Sequence, residues 1–411
     1  MNSRERILSS ITHKEPDKIP IDLGASTVTG ISAIAYNKLK NKLGINSPTR
    51  IFDVIQQLAF VDMEVIDSFC IDAIDINRIL MDDLDWYPVT LGDGSRGEYP
   101  DWFKPIQDSD GSYFLKDNKG KVMSRMPKLG SCFDQIIFPW ENGYPDHMDG
   151  IGEAFKSINW TAHSHTKYIN IKDSELRSRT KKLRESTDRA IVMSGGAKLL
   201  ELGFFLRRMD NLLMDLLSDQ DNLSKLLDKL MDLHLAGLEK KLRAVGDLVD
   251  VIRFGDDLGM TTGPFMDLGV FRKLFKPRYK ILCDYVKRNS NMKIFLHSCG
   301  SIRQFIPDLI EVGFDILNPV QTNCKGMDAK ELKEEFGREI TFWGGGVDTS
   351  SVLPTVTPEE VRRDVLNRCE ILSRGGGFIF ASIHNILPEV PPENILAAYE
   401  AVNEFNGESE Q

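Results

Sequence analysis

The chain has 411 residues, with 51 Lys and Arg against 61 Asp and Glu for a net charge of −10, and 41% of it is hydrophobic. That charge excludes a general nucleic-acid binder, which needs a basic stripe to neutralise phosphates, and the apolar fraction excludes a disordered chain. Six scattered cysteines, no run of 18 apolar residues, and a charged start (Met1-Asn2-Ser3-Arg4-Glu5-Arg6) without a signal-peptide core lead us to expect a cytoplasmic protein that meets no membrane. Eight short apolar runs bounded by Gly, Pro, Asp or Asn predict strands. They lie at Ile19–Leu23, Ile71–Ile76, Ala190–Ser194, Val249–Phe254, Lys293–His297, Asp315–Pro319, Ile340–Trp343 and Gly377–Ala381.

Amphipathic helical stretches follow most of these runs. Asp173 is placed to cap a basic helix ending near Asp188, whose Arg177, Arg179, Lys181, Lys182 and Arg184 read as a solvated face. Ser301 is placed to cap a helix to Val312, with Gly313 as its terminator. Thr357-Pro358-Glu359-Glu360 combines an N-cap, a Pro at the first helical position and a capping-box Glu, opening a helix to about Ser373. Strand and helix in alternation imply a parallel sheet. Eight strands, and no G-x-G-x-x-G after the first, favour a (β/α)8 TIM barrel over an open doubly wound sheet.

One segment breaks the rhythm. From Asp82 to Asp149 the chain is rich in Gly, Pro, Trp and Tyr and lacks helical periodicity. Tyr113-Phe114-Leu115, Asp117-Asn118-Lys119-Gly120 and Val122-Met123 read as a β-hairpin. We therefore expect one TIM-barrel domain over 1–411 with a β-rich insertion at 82–149, after the second strand. The insertion's aromatics (Trp86, Tyr87, Trp102, Phe103, Phe138 and Trp140) either form its own small core or line a cavity over the barrel mouth.

Reactive residues gather at the predicted strand C-termini, where a barrel builds its active site. His297-Ser298-Cys299 pairs an imidazole with a thiol two residues on, a nitrogen and sulfur set that suits zinc. The third ligand is His384, which leaves the eighth strand towards the same mouth, or Cys324 after the sixth. Cys283 and Cys369 fall in helical patterns and read as structural. Asp256 and Asp257 are candidates for acid/base catalysis or for orienting a metal-bound histidine, and the alternative is helix capping or a salt bridge to a barrel arginine. Neighbours on an extended chain point oppositely, so one of the two should face the mouth. Asn318, Gln321 and Trp343, at the ends of the sixth and seventh strands, are candidate substrate-binding residues.

From Asp250 onward the sequence resembles the uroporphyrinogen decarboxylase superfamily. The resemblance rests on F-G-D-D-L-G-M at 254–260, H-S-C-G at 297–300, I-P-D-L-I-E-V-G-F-D-I-L-N-P-V-Q at 306–321, F-W-G-G-G-V-D-T at 342–349 and H-N-I-L-P-E-V-P-P-E-N-I at 384–395. The opening R-E-R-I-L-S-S-I-T-H-K-E-P-D-K-I-P at 4–20 fits as well. The resemblance implies the barrel. The decarboxylase branch carries R-Q-A-G-R-Y after its first strand to hold a many-carboxylate tetrapyrrole. The stretch from Ile19 to Thr29 has no arginine here, which argues against that substrate.

The other branch contains cobalamin-dependent methyltransferases, in which the His and Cys of H-x-C-G bind zinc. Carried over, this makes His297 and Cys299 ligands. Where that branch usually supplies a final Cys, this chain has His384, as the decarboxylase branch does. One thiolate with two imidazoles leaves zinc a net +1, a stronger Lewis acid than the neutral two-thiolate site. The expectation is a zinc-dependent methyltransferase moving a methyl group between a small substrate, a methyl ether foremost, and a corrinoid. The chain has no D-x-H-x-x-G corrinoid motif, so the cobalamin would come on a partner protein or free. The alternatives are a metal-free lyase acting on a carboxylate, and a non-catalytic corrinoid- or tetrapyrrole-binding protein. A homodimer is left open.

Overall fold

The computed structural model describes residues 1–81, 83–117, 119–128, 130–158 and 171–407. Seven strands form one parallel sheet: β1 (Ala73–Asp75), β2 (Ala190–Gly196), β3 (Val251–Gly255), β4 (Lys293–His297), β5 (Ile316–Asn318), β6 (Thr341–Trp343) and β7 (Phe378–Ile379). Each pairs with its sequence neighbours, from β7 at one edge to β1 at the other. The eighth position is filled by the segment predicted as the first strand, which does not make a regular ladder. Asp22 N donates to Phe380 O and Phe380 N to Pro20 O on one side, and Asp72 N donates to Ile21 O on the other (each 2.8 Å). The amide of Ile21 goes to the Asp72 carboxylate (2.9 Å), and Pro20 has no amide to give. Those two substitutions explain why the regular pairing is missing although the barrel closes.

Helices cover the outside, among them Ala33–Leu43, Asp173–Ser186, Gln220–Val245, Lys276–Asn289 and Pro392–Phe405. The Thr357 capping box is present and opens the helix Pro358–Leu372, and Gly313, at φ 109°, ends the helix Ile306–Val312. Ser301 does not cap that helix. A 3-10 turn at Arg303–Phe305 intervenes, and Ser301 Oγ donates to Lys325 O instead (2.6 Å). The basic helix begins at Asp173, with Lys172 outside it. Its Arg177 and Arg184 are spent on Asp247 and Asp250, so it is a paired surface and not a binding patch. No helix among the described residues is long and apolar enough to cross a membrane.

The two-residue period of the strands sorts side chains between two cores. Ile74, Ile191, Ile252, Leu296, Leu317 and Phe342 pack outward against the helices. Ala73, Ala190, Val192, Val251, Phe295, Ile316, Trp343 and Ile379 fill the barrel with Ile7 and Ile11 of the helix Ser3–Ile11. That helix is joined to the strand N-terminal ends by Arg4 to Asp250 and Arg6 to Asp72 (2.6 Å each). The same inward parity, carried two residues on, brings Asp75, Ser194, Arg253, His297 and Asn318 to the C-terminal mouth.

Between β1 and β2 stand a hairpin (Trp86–Thr90 with Arg96–Pro100) and a four-stranded antiparallel sheet containing Tyr113–Lys116 and Val122–Met126. The predicted β-hairpin is therefore present, although Asp82 and the turn residue Asn118 lie outside the described residues. The ring of Phe103 meets those of Tyr99 and Phe133 edge to face at 4.9 and 5.7 Å, so these aromatics pack on one another in a cluster continuous with the core between barrel and helices. Backbone bonds from Phe133 N to Ile55 O and Trp140 N to Leu206 O dock it on the barrel.

Candidate metal centre

β4 ends at His297, and the chain then opens into a loop at the barrel mouth. Gly300 lets this loop pass over Gly259: its φ is 92°, and a Cβ there would stand 2.3 Å from Gly259 O. The loop turns Cys299 back so that its Sγ lies 3.5 Å from His297 Nε2. His384, after the last strand, has φ 67°, a left-handed conformation uncommon for a residue with a side chain, and Ser382 Oγ donates to its carbonyl (2.7 Å). Its ring centroid is 5.2 Å from that of His297. The donor atoms of His297, Cys299 and His384 all lie within 4.8 Å of one another. Cys324, the other candidate for third ligand, is buried outside this cluster with its Sγ turned to Asn323 Oδ1 (3.8 Å).

The tautomer of His297 follows from its neighbours. Asn318 Nδ2 donates to Trp343 O (2.7 Å), which leaves Asn318 Oδ1 to face His297 Nδ1 at 2.6 Å. An amide oxygen can only accept, so Nδ1 carries the proton and Nε2 presents a lone pair to the cluster. Around that lone pair stand the Cys299 sulfur and, at 3.6 Å, Asp257 Oδ1, which also accepts from Cys299 N (2.8 Å). Burial lowers the pKa of both histidines to about 4, with the charge of His297 adding to the effect on His384, so both are neutral at neutral pH as ligands must be. Burial, then Asp257, raise the Cys299 thiol well above its ordinary range, so a cation must displace its proton. Two imidazoles and a thiol converging beside a carboxylate make a cation-binding set once the thiol gives up its proton. The 3.5 Å sulfur–nitrogen distance matches the roughly 3.3–3.8 Å edges of a tetrahedron with zinc bond lengths.

The two adjacent carboxylates part company. Asp257 reaches the cluster, whereas Asp256 is fully buried and accepts from Leu199, Leu200 and Glu201 N (2.8 Å each) and from Tyr279 OH (2.6 Å). Burial, then repulsion from Glu201, raise its carboxyl pKa to about 7 against those four bonds. It caps the helix Leu200–Arg207 from a distant strand and has no oxygen to offer a substrate.

The expected substrate-binding residues also take other places. Asn318 is fully buried and orients His297. Gln321 Oε1 accepts from Gly300 N (2.8 Å) and so holds the Cys299 loop. Trp343 is buried within the barrel, with Nε1 on Asp22 Oδ2 (2.8 Å) and its ring 5.4 Å from that of Phe295. It is inward by parity but too large and too deep to reach the mouth. Arg253 also reaches the mouth, and the signal for it in the sequence is the same parity, two residues beyond Val251.

Parallel strands closed into a barrel, with nitrogen and sulfur donors at their C-terminal ends, define a barrel protein with a candidate metal centre at its mouth. Residues 200–405 match the model of the uroporphyrinogen decarboxylase family. The chain belongs to that family. Among solved structures it is similar to a methyltransferase from Methanosarcina mazei, with a TM-score of 0.59 at 18% identity over 98% of this chain and 99% of that one. Comparison with curated protein sequences gives no match.

Proposed function

We propose that this protein is a zinc-dependent methyltransferase that moves a methyl group from a small methyl ether to a corrinoid. The observation that supports this most is the convergence of His297, Cys299 and His384 donor atoms within 4.8 Å at the barrel mouth. Zinc held there by one thiolate and two neutral imidazoles would supply Lewis acidity towards an ether oxygen, its net +1 favouring that role over thiol activation. The chain's own residues do the rest. Asn318 fixes which nitrogen of His297 faces the site, and Gln321 and Asp257 hold the loop bearing Cys299. The corrinoid would be carried by a partner protein or come free, and the shared fold with the Methanosarcina mazei methyltransferase agrees with this reading. The absence of arginine between Ile19 and Thr29 disfavours a many-carboxylate tetrapyrrole as substrate, and full use of Asp256 as a cap removes one of the two carboxylates a metal-free lyase could use.

The test is a spectrophotometric assay of zinc-supplemented protein with reduced cobalamin and a panel of methyl ethers. Loss of the cob(I)alamin band with growth of the methylcobalamin spectrum is expected, and it should be abolished in His297→Ala. Transfer to a thiol alone, with none from any ether, would reverse the direction assigned here. Release of carbon dioxide from a carboxylate without metal or corrinoid would instead establish the lyase.

A further inference from the structure

Beside the metal cluster lies a second feature that the site so far does not use. A cavity of about 520 Å³ opens at the mouth over the ends of β1, β2 and β3, a volume suited to a small molecule. Arg253 lines it. This residue is 7% exposed, and its one hydrogen bond among the described residues is from Nη2 to Ser194 Oγ (3.2 Å). Among the described residues no carboxylate oxygen lies within 4 Å of its guanidinium, although Asp75, Glu201 and Asp53 act on it from further away. Arg207, the other buried arginine of the described residues, shows what a satisfied one looks like: two bonds to Asp215 (2.9 and 3.2 Å) and further bonds to Trp140 and Glu141 carbonyls.

Lys240 and Lys241 line the same cavity, Lys241 with its Nζ on Ser194 O (2.9 Å), so with Arg253 three cations share it. The single lining carboxylate, Asp75, has Oδ1 turned to Asn77 N (2.7 Å). Ile76, Leu80 and Val192 give the opposite character, an apolar wall. The cavity also adjoins the metal cluster. A Cβ built on Gly255 would stand 3.3 Å from Arg253 Nη1 and 3.9 Å from His297 Cβ, so the guanidinium and the ligand histidine flank one point.

A planar guanidinium with free N–H groups matches a carboxylate as a two-bond fork, and a desolvated one leaves donors unpaired without such a partner. We propose that Arg253 seats the carboxylate of the substrate, which is therefore a small methoxylated carboxylate whose apolar body lies against Ile76, Leu80 and Val192. The methoxy part rests on the methyl-transfer reading, and the carboxylate seat does not.

The experiment is calorimetric titration of the zinc-supplemented full chain, without corrinoid, using 4-methoxybenzoate and its neutral counterpart 4-methoxytoluene. Wild type should bind the acid more tightly than the neutral ether. Arg253→Gln should weaken the acid roughly 10- to 100-fold and leave the ether unchanged. Arg253→Lys, which keeps the charge without the fork, should fall between, and it carries the test if the Gln variant does not fold. The proposal is overturned by equal acid binding in wild type and Arg253→Gln, or by no acid binding to wild type. It is also overturned if the Arg253-dependent ligand is 2-mercaptoethanesulfonate alone, since the anion would then belong to a thiol acceptor. Acid binding through Arg253 with no methyl transfer in the corrinoid assay would count against the proposed function alone.

Discussion

His297 has two ring nitrogens in two environments, and the difference between them is set by a residue that touches no ligand. Asn318 commits its own amide to Trp343 O, and this obliges it to accept from Nδ1. Replacing it removes both the orientation and the tautomer preference. Asn318→Ala should weaken zinc 10- to 100-fold, by competition with a chromophoric chelator, while His297→Ala removes it altogether. Unchanged zinc affinity in Asn318→Ala would mean that the hydrogen bond plays no part in holding the metal. The H-x-C spacing was legible in the sequence because both candidate ligands sit at one strand end. The job of Asn318 was not, because it depends on β4 and β5 lying side by side with His297 opposite Asn318. Trp343 misled for a related reason. An aromatic residue at a strand end looks like a ligand surface until the barrel around it shows that its ring fills the interior.

Among the elements, the join between β3 and the helix Leu200–Arg207 is the least visible from sequence. That helix has no capping side chain of its own at its N-terminus, and the first three amides go to Asp256, more than fifty residues later. An anion there also meets the positive end of the helix dipole. Local signals found the Thr357 box because donor and acceptor are three residues apart, and they placed Ser301 wrongly because its hydroxyl is drawn to Lys325 O. A cap across the fold leaves no such local trace. Asp256→Asn puts an amide NH2 among N–H donors in a fully buried place. It should cost about 3 kcal/mol in urea unfolding while zinc content stays at the wild-type level. A variant of undiminished stability would return Asp256 to the list of residues free for chemistry.

At the scale of the whole molecule, the barrel was legible as eight apolar runs, and its closure was not. Seven runs became ladder strands of similar position, whereas the run at Ile19–Leu23 closes the ring through three backbone bonds and the Asp72 carboxylate. Pattern alone cannot distinguish a strand that pairs fully from one that borrows a side-chain acceptor. The closed ring matters for the site because it sets His297 on β4 within reach of His384, which lies 87 positions further along the sequence. The most direct measurement is zinc content of the reconstituted protein, purified without a tag under reducing conditions, for wild type, His297→Ala and Cys324→Ala. The account predicts about one zinc per chain in wild type and Cys324→Ala and none in His297→Ala. No zinc in wild type, or zinc retained without His297, would contradict it.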